Sequence, residues 1–153
     1  MMVSIDPEFG YVIAVLIAFY VQQNVIFVAF VVKARMKTKI KAPTLYPRDS
    51  EVKALKLTED NVDYYLRAQR IHQNNIEFMS MFLPVFLMAG IANPIQTAIA
   101  GAVVWTFRMA FALGYSKSTG SRSIGAPFHL GELYILYIAG KFAYQLLVDG
   151  GGK

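Results

Sequence analysis

Long apolar segments dominate the hydrophobic pattern of this chain, and shorter polar segments separate them. A helix needs about 20 mainly apolar residues to cross the hydrocarbon core of a bilayer. Four segments have this character, and they predict membrane-spanning helices at about residues 10–32, 70–92, 95–116 and 127–148. The pattern therefore predicts an all-α integral membrane protein, a four-transmembrane-helix bundle that forms one domain over residues 1–153.

The composition agrees with a membrane protein and argues against a soluble enzyme. The 153 residues are 56% hydrophobic and 16% charged, whereas a soluble domain is about a quarter charged. The net charge of +5 could suggest a nucleic-acid partner. The high hydropathy favours a membrane instead, where basic residues concentrate in the flanking loops, so no nucleic-acid partner is predicted.

The distribution of the basic residues predicts an orientation. Most lysines and arginines lie between residues 33 and 70, and Lys117 and Arg122 follow the third predicted span. The positive-inside rule places both of these loops in the cytoplasm and both termini on the other side. We expect the endoplasmic reticulum membrane in a eukaryotic host and the inner membrane in a bacterial one.

Polar side chains recur at helical spacing where the second span begins. Arg70, Gln73, Asn74 and Glu77 stand at positions i, i+3, i+4 and i+7, so they line one face of a helix. Ionisable groups inside a bilayer are costly and are candidates for function. The alternative left open is that they only pair with one another or bind neighbouring helices.

The third span and the loop after it add three further candidates. Arg108 is a charge inside the span, Tyr115 follows seven residues later on the same face, and Arg122 lies in the loop beyond. Arginines can fork onto carboxylates, and a glutamate can accept from an ammonium group. The combined set therefore suits a small, multiply charged ligand from the cytosol, with an apolar second substrate arriving through the lipid. With no cysteine and two histidines, no metal site is predicted.

The stretch R-A-Q-R-I-H-Q-N-N-I-E-F, followed by M-F-L-P, resembles the signature of the MAPEG family, the membrane-associated proteins of eicosanoid and glutathione metabolism. K-A-R-M-K-T-K-I after the first span and Gly114-Tyr115 in the third extend the resemblance over nearly the whole chain. Within the family, the chain looks most like the type three microsomal glutathione transferases. This resemblance implies a homotrimer that binds glutathione as co-substrate between subunits, at the cytoplasmic side.

The resemblance also implies a role for each matching residue. Arg122 would stabilise the glutathione thiolate. In leukotriene C synthase a second arginine follows the helix-one arginine, and this chain has Met36 in that place. The residues expected to bind glutathione are Arg35, Arg70, Gln73, Asn74, Glu77, Arg108 and Tyr115.

The expected function is that of a membrane-bound glutathione S-transferase or glutathione peroxidase. Its second substrate would be a lipophilic electrophile or a lipid hydroperoxide taken from the bilayer, and membrane lipids are its other expected partners. The alternatives are a non-catalytic lipid-binding protein like the five-lipoxygenase-activating protein, an eicosanoid synthase or isomerase, and a plain four-helix scaffold or transporter subunit.

Overall fold

The computed structural model describes residues 6–150, and within this range the chain forms helices and no strand. A 3-10 helix, Gly120–Gly125, connects the last two α-helices. The α-helices are α1 (Phe9–Thr38), α2 (Asp49–Ala54), α3 (Glu59–Ala92), α4 (Pro94–Lys117) and α5 (Phe128–Gly150).

Among the described residues, three helices, α1, α3 and α4, are long and apolar enough to cross a membrane. This confirms the membrane character of the chain. The helix α5 has 23 residues and carries Glu132 and Lys141, and it does not belong to these three. Its assignment as a fourth span therefore stays a prediction.

Helix α3 begins well before the predicted span. Its first residue is Glu59 rather than residue 70, because the sequence between them is polar but helical. The Thr58 hydroxyl accepts a hydrogen bond from the Asn61 backbone N–H (3.3 Å), which caps the helix. The polar face of α3 therefore continues along these extra turns, before the apolar segment begins.

Helices α3 and α4 are antiparallel neighbours joined at Asn93. The Asn93 side chain accepts a hydrogen bond from the Gln96 backbone N–H (3.3 Å) and so caps α4. Pro94 occupies the first helical position, where a backbone N–H makes no hydrogen bond within the helix, so the N–H that proline lacks is not missed. Both α1 and α5 pack against this pair. Phenylalanine rings fill the centre, with Phe19 edge-on to Phe82 and Phe86 at 5.3 and 6.0 Å between ring centroids.

Helix α1 contains a π-helical segment, Gln22–Phe27, at the polar interruption of its sequence. Before this segment α1 packs mainly against α4, and after it mainly against α3. Gln22 is fully buried and donates from Nε2 to the Trp105 carbonyl (3.0 Å), while the Trp105 indole donates to the Ala18 carbonyl (3.0 Å). These reciprocal bonds join α1 to α4 where α1 changes its packing partner.

Candidate functional site

The predicted polar face of α3 is present and reaches the surface of the chain. Arg70 and Glu77 approach within 3.7 Å across two helical turns, and their side chains are 43% and 63% exposed. An exposed ion pair of this length contributes little to stability. Both charged groups are therefore available to a ligand or to a neighbouring molecule.

The loop between α1 and α3 reaches this same face. Gln73 lies between the two charges along α3, and its Oε1 accepts a hydrogen bond from the Tyr46 hydroxyl at 3.4 Å. Tyr46 is 60% exposed. The contact places Tyr46 next to the candidate site, although the sequence assigns this loop residue no role.

Arg108 is enclosed inside the chain instead of lining an open surface. It is 3% exposed, and its Nε and Nη2 donate to Asn75 Oδ1 at 3.0 and 2.9 Å. Nη2 also donates to Asn74 Oδ1 at 3.0 Å. The structure thus brings Arg108 and Asn74 together, and the Arg108 donors are bound to the amides of α3.

Three aromatic rings surround the Arg108 guanidinium. Its central carbon lies 4.6, 5.2 and 5.1 Å from the ring centroids of Phe78, Phe111 and Phe128. These rings belong to α3, α4 and α5, and their faces attract a cation while excluding water. Arg108 therefore joins three helices at the level of the α3 polar face.

Two further residues belong to this buried arrangement and were not predicted. Asn75 is fully buried, and its Nδ2 donates to Gln23 Oε1 at 2.7 Å. The available signal for Gln23 was the run Gln22-Gln23-Asn24, three amides inside an otherwise apolar span. Asn75 gave no signal of its own, because it stands next to Asn74 in an already polar stretch.

Tyr115 follows Phe111 by one helical turn on α4, and the two aromatic rings pack together. The two rings stack at 5.7 Å between centroids, with 15° between their planes. Tyr115 also packs against the buried cluster that contains Phe27 and Ile71. It is half-buried, one turn beyond a ring that contacts Arg108.

The turn that carries Arg122 folds back along α4 because two glycines allow close approach. A Cβ on Gly114 would collide with the Ser121 carbonyl oxygen, and one on Gly125 would collide with the Phe111 side chain. Arg122 is exposed, and its side chain makes no hydrogen bond or ion pair with the described part of the chain.

Arg35 stabilises the loop after α1. Its Nη1 and Nη2 donate to the carbonyls of Ile40 (3.4 Å) and Thr44 (2.9 Å). Its guanidinium carbon lies 5.5 Å from the ring centroid of Tyr65, whose hydroxyl also donates to the Thr44 carbonyl. Within residues 6–150, Arg35 contacts none of the other predicted ligand residues through a hydrogen bond.

Two adjoining cavities follow the groove between α3 and α5. They measure about 330 and 430 Å³ and share Val85 and Leu136 in their walls. Glu77 and Glu132 stand in the wall of the smaller one, and Glu132 Oε2 lies within hydrogen-bond distance of His129 Nδ1, at 2.7 Å. The described residues contain no cluster of three or more His, Cys, Asp or Glu side chains that could hold a metal ion.

Fold and site together define an integral membrane protein whose helices hold arginine, amide and carboxylate groups at one level of an apolar bundle. The sequence matches the model of the MAPEG family over residues 12–144, and the chain belongs to this family. The family includes glutathione transferases, peroxidases and members without catalytic activity. No curated protein matches the sequence.

Proposed function

We propose that the chain is a membrane-bound glutathione S-transferase or glutathione peroxidase. One observation carries this proposal: Arg70 and Glu77 present opposite, exposed charges on one face of α3, beside the amides of Gln73 and Asn74. Glutathione is a zwitterionic peptide, so its carboxylates suit the guanidinium, its ammonium suits the carboxylate, and its peptide groups suit the amides.

The thiolate of glutathione is the proposed nucleophile, and Arg122 is its proposed stabilising group. A free thiol has a pKa of about 8.5, so only a few per cent is thiolate at neutral pH. Lowering that pKa by about two units requires about 2.7 kcal/mol of differential stabilisation. A guanidinium can supply this through charge and hydrogen bonding once water is excluded.

The proposed reaction has two forms, which differ in the second substrate. With a lipophilic epoxide, the thiolate sulfur forms a bond to a ring carbon, the C–O bond of that carbon breaks, and the resulting alkoxide takes up a proton. With an enone, the sulfur adds to the β-carbon, the C=C π bond breaks to give an enolate, and the enolate takes up a proton. With a lipid hydroperoxide, the sulfur takes the distal oxygen, the O–O bond breaks, and the leaving alkoxide is protonated to an alcohol. A second glutathione then converts the sulfenic acid to glutathione disulfide and water.

The proposed assembly is a homotrimer in the endoplasmic reticulum membrane, or in the inner membrane of a bacterium, with α5 as the fourth span and the basic loops cytoplasmic. The exposure of Arg70, Glu77 and Arg122 in the single chain supports a site that a neighbouring subunit completes. Covering these groups would exclude water, which strengthens their interaction with a charged ligand.

A second candidate is a non-catalytic lipid-binding member of the family. The groove between α3 and α5 favours it, because its two adjoining cavities have mostly apolar walls and suit an acyl chain. This candidate predicts lipid binding without glutathione binding. Calorimetric titration of the detergent-purified protein with glutathione therefore separates the two functions.

Turnover of an Arg122→Ala variant tests the proposed chemistry. At saturating glutathione and pH 7, we expect turnover about 25-fold lower, since a thiol with a pKa of about 6.5 is about three quarters thiolate and one with a pKa of about 8.5 is about 3% thiolate. The glutathione Kd should rise only about 4-fold, which is the part of the thiolate stabilisation that appears in binding at this pH. Lys117→Ala is the matched control, because Lys117 is an exposed cation at the end of the preceding helix. Parental turnover in Arg122→Ala would remove Arg122 from the mechanism.

A further inference from the structure

A continuous chain of side-chain hydrogen bonds crosses the bundle beneath the candidate site. It begins at Gln23 on α1, passes to Asn75 on α3 (2.7 Å), continues to Arg108 on α4 (2.9 and 3.0 Å), and returns to Asn74 on α3 (3.0 Å). Gln23 takes no part in the proposed reaction, but it stands at one end of this hydrogen-bond network.

Because arginine can only donate hydrogen bonds, it determines which end of each side-chain amide in this network is the oxygen and which is the NH₂ group. A guanidinium donates only, so Asn75 must present its oxygen to Arg108 and its NH₂ to Gln23. Gln23 must then present its oxygen to Asn75. Asn74 likewise has its oxygen bound to Arg108, and therefore its NH₂ group is the part left for a ligand.

The π-helical segment explains why Gln23 reaches α3. The neighbouring Gln22 bonds to the Trp105 carbonyl on α4, whereas Gln23 bonds to Asn75 on α3. The segment lies where α1 exchanges one packing partner for the other. Widened helical turns of this kind occur frequently at functional sites.

We propose that Gln23 is a positioning residue for glutathione. It acts through Asn75 and Arg108 to aim the Asn74 NH₂ group at an acceptor of the ligand, a carboxylate or a peptide carbonyl. This inference rests on the proposed function. Without the Gln23 acceptor, the Asn75 side chain is held by its bonds to Arg108 alone. The contact between Arg108 and Asn74 then loses its connection to α1, and the orientation of the Asn74 amide is less well defined.

Three variants of α1 test the inference through the glutathione Kd, measured by calorimetry on the detergent-purified protein. Gln23→Met keeps the length of the side chain and removes the acceptor, so we expect a Kd about 3- to 10-fold higher, the equivalent of one hydrogen bond. Gln23→Glu keeps an acceptor and should retain a Kd near the parental value. Asn24→Ala is the matched control, since the Asn24 side chain donates to the Tyr20 carbonyl of its own helix (3.1 Å) and to no other group in the described part of the chain.

A double-mutant cycle with Asn74→Ala separates positioning from a structural role. If Gln23 acts through Asn74, Gln23→Met has no further effect on the Kd once Asn74 is alanine. A structural role would instead lower the binding stoichiometry and add to the effect of Asn74→Ala. Gln23→Ala replaces Gln23→Met if the latter does not fold.

The outcomes also separate this inference from the function on which it rests. No glutathione binding by the parent protein overturns the proposed function. Parental binding with an unchanged Kd in Gln23→Met, or additive effects in the cycle, overturns the positioning role of Gln23 and leaves the function intact.

Discussion

Replacing Arg108 by methionine tests whether its buried hydrogen bonds hold the bundle together. Methionine fills much of the same volume inside the cage of Phe78, Phe111 and Phe128, but it donates no hydrogen bond. The variant also leaves the oxygen of Asn75, which is fully buried, without its donor. We therefore expect a folded but less stable protein.

The expected loss follows from the contacts of the guanidinium. Arg108 makes three hydrogen bonds to Asn74 and Asn75, and a hydrogen bond between membrane helices contributes about 0.6 kcal/mol on average. Three such bonds give about 2 kcal/mol. The attraction between the cation and its aromatic cage adds about 1 kcal/mol. Arg108→Met should thus lower the free energy of unfolding by about 3 kcal/mol.

Equilibrium unfolding in mixed micelles with increasing sodium dodecyl sulfate, followed by circular dichroism, measures this loss. Thr106→Val is the matched control, because Thr106 is exposed on the same helix and, within residues 6–150, its side chain bonds to the Ala102 carbonyl alone (2.8 Å). Adding Asn75→Leu and Gln23→Leu to Arg108→Met should recover part of the stability, since the amides that lose their partners are then replaced by apolar side chains. Parental stability in the single variant would refute the reasoning.

Further substitutions address the remaining parts of the site. Arg70→Ala or Glu77→Ala should raise the glutathione Kd about 10-fold by removing one charge-assisted hydrogen bond. An unchanged glutathione Kd would show that these residues only contact neighbouring helices. Gly114→Ala places a Cβ against the turn that carries the proposed thiolate-stabilising arginine. It should lower turnover more than glutathione affinity, whereas Gly140→Ala, where a Cβ meets nothing within 4 Å, should keep parental turnover. Arg35→Ala should speed tryptic cleavage in the loop after α1, and parental cleavage rates would contradict its anchoring role.

The helices could be predicted because membrane spans leave a strong local signal. Apolar length marks α1, α3 and α4 in the sequence, and the Asn93-Pro94 pair marks the turn between the last two. The polar face of α3 could also be predicted, since residues at i, i+3, i+4 and i+7 share a face of any helix. These features depend on neighbours in the sequence alone.

The partners of the polar groups could not be predicted, because they depend on how the helices pack. Arg108 contacts α3 amides 33 and 34 positions away in the sequence, and nothing local distinguishes them from a ligand. Gln23 and Asn75 are 52 positions apart. Arg35 bonds to nearby carbonyls only because its loop folds back onto α3. A pattern indicates which side chains are unusual, but the packed helices decide what each one touches.

The central claim is that the protein binds glutathione and stabilises its thiolate. The most direct measurement is a pH titration of thiolate absorbance with glutathione bound, in the parent protein and in Arg122→Ala. We predict a midpoint near pH 6.5 in the parent, about two units below that of a free thiol, and a midpoint close to 8.5 in the variant. A parental midpoint at the free-thiol value, or the same lowered midpoint in both proteins, would contradict the account.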